Sequence, residues 1–184
     1  MTVYNFKRIV AESCPVLLAC AMIGLFAGLF LELNVERLGF VALMMVPTIN
    51  GLGGNIGSIL GARISSALHL GAVEPRIRGQ AVLRMNVAAS AGSSITIFAV
   101  ASVLFFFLAG AFGATPLEAA KFSASFLMAG VVLTVAVMLM TIAIAFISFR
   151  KGLDPDNVVI PVVTSIVDVL GVICLISAIQ IIGV

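Results

Sequence analysis

Residues 154–172 read DPDNVVIPVVTSIVDVLGV. This stretch opens as a helix should. Asp154 suits the cap position, where a carboxylate accepts from free backbone N–H groups, and Pro155 suits the first helical position. Asp156 follows at the positive end of the helix dipole. Pro161 lacks an N–H, so the carbonyl four residues back, on Asn157, is expected to lose its helical donor and be left as a free oxygen. Pro161, Thr164, Ser165 and Asp168 then fall at i, i+3, i+4 and i+7, which is one face of a helix. The other faces carry Val162, Val163, Ile166, Val167 and Leu170. At 1.5 Å per residue, Asp168 stands roughly 20 Å from the start, near the middle of a bilayer. An ionised carboxylate at that depth costs several kcal/mol, so acids there mark ion or proton pathways.

The rest of the chain places this helix in a membrane. Of 184 residues, 62% are hydrophobic and 10% charged, against roughly 25% charged in soluble domains. Mean hydropathy is +1.27. The net charge of +2 is too small to indicate nucleic acid as a partner. Cys14, Cys20 and Cys174 are scattered and read as apolar packing residues, and His69 is the single histidine. A copper or zinc site built from His and Cys is therefore not expected within one chain.

Five segments are long and apolar enough to span: about 14–33, 40–70, 81–110, 122–149 and 155–182. The first is too long and unbroken for a cleaved signal peptide. An N-terminus in the cytoplasm puts Lys7, Arg8, Arg76, Arg78, Arg84, Arg150 and Lys151 inside and only Arg37 and Lys121 outside, with Arg63 within the second span. The positive-inside rule selects that orientation, with the C-terminus outside. A cell (inner or plasma) membrane is the expected location.

The second segment, PTINGLGGNIGSILGARISSALHLG over residues 47–71, is glycine-rich. Gly51, Gly53, Gly54 and Gly57 are expected to interrupt the helix and expose carbonyls toward protein or a watery cavity. Asn55, Ser58, Ala62 and Ser65 read as one small polar face able to line a pore. Gly53, Gly57 and Gly61, and also Gly24 and Gly28, have the small-x-x-x-small spacing of close helix packing. Arg63 and His69 read as structural, with Arg63 either snorkelling or pairing with an acid such as Asp156 or Asp154. Asn86, Ser90, Ser93 and Ser94 on the third span read as interhelical hydrogen bonding. Thr134, Thr141 and Ser148 on the fourth read as packing.

The candidate ligands are oxygens: Asp168, Thr164, Ser165, Asn55, Ser58, Asp156 and the Asn157 carbonyl. Oxygen donors suit hard cations, and Mg²⁺ keeps most of its waters and so needs few protein ligands. Mn²⁺, Co²⁺ and Ca²⁺ accept similar donors. One carboxylate is little charge for a divalent ion. Two chains about a two-fold axis supply two, so a homodimer is expected.

At these residues the sequence resembles the MgtE magnesium transporter family, and more closely its solute-carrier family 41 branch. The matching motifs are Pro47, Gly51, Gly54 and Asn55 leading into GARISSALHLG (61–71), and DPDNVVIP (154–161) followed by TSIVDVLG (164–171). The resemblance implies an all-α membrane protein with five transmembrane helices per chain, forming a pore for hydrated divalent cations, chiefly Mg²⁺, at a two-fold homodimer interface lined by the second and fifth helices. It assigns Asp168 to the essential pore aspartate, Asn55 to the G-G-N asparagine and Thr164 to a pore-lining position. Ile160 departs from the polar residue the family can carry before the proline. The chain is expected to be the transmembrane core alone, a single five-span domain over 1–184, without the soluble regulatory domains of bacterial members. Fused two-copy members correspond to two such chains. Two other readings use the same residues: a Na⁺- or H⁺-coupled Mg²⁺ exchanger, since a midplane acid and broken helices also suit alternating access, and a non-transporting scaffold subunit in which Asp168 only joins helices. No Ser/His/Asp set, HExxH motif or second buried acid marks an enzyme.

Overall fold

The computed structural model describes residues 6–35 and 38–184. Arg37, and the side chains of Lys7 and Arg8, lie outside the described residues. Five helices follow in order: α1 Phe6–Glu32, α2 Phe40–His69, α3 Ala81–Ala111, α4 Pro116–Arg150 and α5 Pro155–Ile182. All five are long and apolar enough to cross a membrane. The all-α, five-span expectation holds.

Two boundaries teach something about sequence. α4 begins at Pro116, six residues before the expected Phe122, because Thr115 caps it: the Glu118 N–H donates to Thr115 Oγ1 at 3.3 Å and the Thr115 N–H donates to Glu118 Oε2 at 2.8 Å. This reciprocal capping box holds the helix start although its first turn is not apolar. α2, in contrast, is not interrupted. It runs as continuous α-helix from Phe40 to His69 through every glycine and Pro47.

The reason is packing. A Cβ on Gly53 would stand 2.8 Å from Leu133 and 3.0 Å from Val167; on Gly57, 2.4 Å from Val163 and 2.9 Å from Val137; on Gly61, 2.7 Å from Val159. Three glycines at i, i+4 and i+8 therefore receive the ridge Val159, Val163 and Val167 of α5, and on their other side Leu133, Val137 and Thr141 of α4. In lipid no hydrophobic transfer drives helices together, so close van der Waals contact carries much of the association. The glycines forgo helix propensity, about 1 kcal/mol each against alanine, in exchange for that approach.

α3 closes on α4 by other means. Gly130 admits the Phe98 ring, where any Cβ would overlap it. Phe126 stacks against Phe98 and Phe105, with centroids 5.8 and 4.7 Å away. Ser94 and Thr134 share a buried hydrogen bond, and Ser102 and Ser123 each donate to the other's carbonyl, at 2.7 and 2.9 Å. Of the expected polar stripe on α3, Ser94 thus bridges helices, whereas the Asn86 side chain donates to Val82 O on its own helix. Thr134, Thr141 and Ser148 are all buried, as expected of a packing face.

α1 packs principally on α5. Gly24 and Gly28 have open space around them, so among the described residues their small-residue spacing joins no other helix. Leu18, Leu25, Phe26 and Leu29 are exposed on the bundle exterior, where lipid would meet them.

Gly57→Ala is expected to lower stability by about 1–3 kcal/mol through overpacking. Thermal unfolding in detergent measures it, with Gly28→Ala as the neutral control; equal midpoints for the two variants would refute the glycine-ridge account.

Candidate cation site

α5 starts as its sequence requires. The Asp154 carboxylate accepts from the Asp156 N–H at 3.1 Å, and Pro155 takes the first helical position. The helix continues unbroken through Pro161. Asn157 takes part in an interaction of its own in the first turn, where its N–H also donates to Asp154 O at 3.1 Å.

The stripe above Pro161 is present and half-buried. Thr164 Oγ1 donates to the carbonyls of Ile160 and Pro161, 3.0 Å from each, and Ser165 Oγ donates to Pro161 O at 2.9 Å. Each hydroxyl thus spends its proton on its own helix. What remains for a ligand is oxygen lone pairs, which suits a cation or its hydrating water. Ser58 does the same on α2, donating to Gly54 O at 2.8 Å.

Asp168 is the fourteenth residue of this 28-residue helix, at its middle. Its side chain is half-buried, and its carboxylate has no hydrogen-bond or ion-pair partner among the described residues. A structural acid that only joins helices would have one. What the neighbouring helix does hold is the backbone: Asn50 Nδ2 donates to Asp168 O at 3.3 Å. The Asn50 Oδ1 atom is buried without a partner and lies where a Cβ on residue 171 would stand, 2.0 Å from that position. Gly171 is therefore the seat of the Asn50 amide. Asn50 was not among the residues expected at this site. The available signal was a second amide one helical turn before Gly54, with a glycine one turn beyond Asp168 on the facing helix.

Glycine 54 meets Thr164, with 3.4 Å to its methyl from a Cβ position. Asn50, Gly54 and Ser58, at i, i+4 and i+8, thus form the side of α2 turned toward the polar stripe of α5. Asn55 does not share it. It is exposed and lines a groove of about 560 Å³ between α2 and α3, with Ser93, Thr96, Ile56 and Ile59. Ser65 is fully buried in the bundle. The single pore face expected from Asn55, Ser58, Ala62 and Ser65 is thus split, because α2 is a regular helix with neighbours on several sides. Arg63 is exposed and pairs with neither Asp154 nor Asp156; among the described residues the one ion pair is Arg76 with Glu74. Asp156 is exposed at the α5 start, beside Asp154 and His69.

A family model, MgtE, described as a divalent cation transporter, matches residues 46–178, from within α2 to near the end of α5. The chain belongs to the MgtE family. Both motifs quoted from the sequence lie inside the match. The chain is similar to Solute carrier family 41 member 3 of Rattus norvegicus, at 28% identity over 171 residues that cover 85% of this chain and 37% of the relative. The Mus musculus protein of the same name is 26% identical over 170 residues, covering 85% and 35%. The chain thus spans little more than a third of the length of these relatives. No solved structure matches it.

In this MgtE chain the Asn50–Gly171 contact makes a sharp test. Gly171→Ala is expected to cost about 1–3 kcal/mol. Asn50→Ala removes the obstructing amide, so the double variant should recover part of that loss, a coupling of about 0.5–3 kcal/mol by double-mutant cycle. Strict additivity in detergent unfolding would show that the two residues do not meet.

Proposed function

We propose that this chain transports divalent cations, Mg²⁺ first, along the polar face shared by α2 and α5. The observation that carries the reading is the Asp168 carboxylate at mid-helix, without a partner among the described residues, above a ladder of hydroxyls whose protons are already committed to backbone. Membership of the MgtE family and similarity to a solute carrier support it.

The chemistry follows from the donor set. Mg²⁺ prefers six oxygens and sheds water reluctantly, so a hydrated ion needs one carboxylate and lone pairs that accept from its waters. Asp168 supplies the charge. Thr164, Ser165 and Ser58 supply the lone pairs, and Asp156 and Asn157 stand at the entrance. Two unit charges about 4 Å apart attract by about 4 kcal/mol at an effective dielectric of about 20. A second copy about a two-fold axis doubles the carboxylate charge and gives a half-buried stripe a partner to face. The charge bias of the loops favours a cytoplasmic N-terminus in a cell membrane, with α5 starting on the cytoplasmic side.

Asp168→Asn in proteoliposomes is expected to lower Mg²⁺ flux by at least about tenfold, since tenfold needs only about 1.4 kcal/mol of lost attraction. Flux measured with and without a Na⁺ or pH gradient separates the modes: indifference means a channel, and uphill movement driven by either gradient means coupled exchange. Unchanged flux in Asp168→Asn protein of normal stability would overturn the proposal.

A further inference from the structure

One cluster of ligating side chains lies outside the Asp168 stripe. His69 ends α2, Asp154 caps α5 and Asp156 sits in its first turn, and one ligand atom from each lies within 4.8 Å of the other two. With metal–ligand bonds of about 2.1 Å, tetrahedral ligand atoms stand about 3.4 Å apart, so closure asks for movements on the order of 1 Å by these side chains. Asp154 is half-buried and the other two are exposed.

The imidazole is set up to bind. Its Nδ1 lies 3.0 Å from the carbonyl oxygen of Ser65, one turn back on α2. A carbonyl only accepts, so in the neutral ring Nδ1 carries the proton and Nε2 keeps the lone pair. A hydrogen bond from the far ring nitrogen to a carbonyl is the usual way a metal-binding histidine is oriented. The Phe149 ring meets the imidazole edge to face, with centroids 5.8 Å apart, and fixes its plane from α4. Neither aspartate is neutralised by a lysine or arginine among the described residues. Asp154 uses one oxygen on the Asp156 N–H and keeps the other. The negative pole at the C-terminal end of α2 faces the positive pole at the α5 start, so the helix dipoles largely offset and the two carboxylates supply the negative charge.

We infer that His69, Asp154 and Asp156 form a second divalent-metal site, at the α2–α5 mouth, selective for first-row transition ions such as Co²⁺, Mn²⁺ or Zn²⁺ over Mg²⁺. Imidazole with carboxylates suits such ions, whereas Mg²⁺ favours oxygen. Asp168 lies twelve residues beyond Asp156, about 18 Å along the helix, so the two sites are separate. Binding here does not rest on the transport reading. Its consequence does: a transition ion held at the mouth puts positive charge at the entrance of the stripe and obstructs Mg²⁺.

The test uses purified full-length protein carrying Asp168→Asn, so that the mouth site is read alone. Co²⁺ is titrated by calorimetry and by its visible absorption, whose bands report a nitrogen ligand. One Co²⁺ per chain is expected, with Mg²⁺ at equal concentration failing to displace it. Adding His69→Ala or Asp156→Asn should weaken Co²⁺ binding by at least about tenfold, the scale of losing support for a metal ligand. Asp154→Asn, which retains the cap, should weaken it as well. His69→Gln serves if the alanine variant unfolds. No Co²⁺ binding in the Asp168→Asn protein, or binding unaltered by His69→Ala, would overturn the site. Inhibition of Mg²⁺ flux by Co²⁺, lost in His69→Ala, tests the consequence separately.

Discussion

Backbone-close contact between α2 and α5 is the constraint on which the rest depends. Gly53, Gly57 and Gly61 lie against Val167, Val163 and Val159, and no side chain larger than hydrogen fits between them. This contact sets both the separation and the rotation of the two helices. Once it is made, Asn50 reaches the Asp168 carbonyl, Gly54 meets Thr164, and His69 arrives beside Asp154 and Asp156. Three polar features at three depths follow from one apolar seam. The seam lies between regular helices, so depth along α2 and depth along α5 are tied in antiparallel register, at about 1.5 Å per residue on each.

Much of the fold was legible in the residues, and so was the α5 half of the candidate site. The i, i+3, i+4, i+7 run from Pro161 to Asp168 is a local property of one helix, and helix periodicity predicts it without knowledge of neighbours. α2 was less legible. Its glycines carry two opposite meanings, breakage and close approach, and the choice depends on what stands across from them. Val159, Val163 and Val167 hold the answer about a hundred residues further along the chain. Asn50 was missed for the same reason: its role exists only through Gly171. Asn55, read with Ser58 from spacing alone, is on a side of α2 that α3 attends. The start of α4 was missed for a different reason. A span search follows apolarity, whereas Thr115 and Glu118 mark a helix by hydrogen bonding.

Asp168 shows how local order and charge divide their tasks. Its backbone carbonyl is held by Asn50, and its carboxylate is left without a partner among the described residues. Holding the main chain fixes where the charge stands and leaves both oxygens available. The Thr164 and Ser165 hydroxyls follow the same logic, since bonding back to the helix orients their lone pairs outward. A polar group at mid-depth in lipid is costly unless something satisfies it. Here the backbone demands are met inside the chain and the ligand demands are not. That division suits an ion that arrives and leaves, because a carboxylate bound to a protein cation would have to be freed at each passage.

The two ends of the α5 polar face differ in donor chemistry, and the difference has a physical source in lipid depth. At mid-depth the donors are oxygens alone. The sole histidine is confined to the end of α2, where water reaches it. A neutral imidazole at mid-depth would add affinity for borderline ions, and an ion held tightly in the middle of a path does not move on. At the mouth, on the inference drawn above, a tightly held ion obstructs entry but leaves the donor set around Asp168, about 18 Å along the helix, unoccupied. On the two proposals made above, affinity for transition ions lies at the mouth, where it governs entry, and the weaker, oxygen-only set lies where passage requires release.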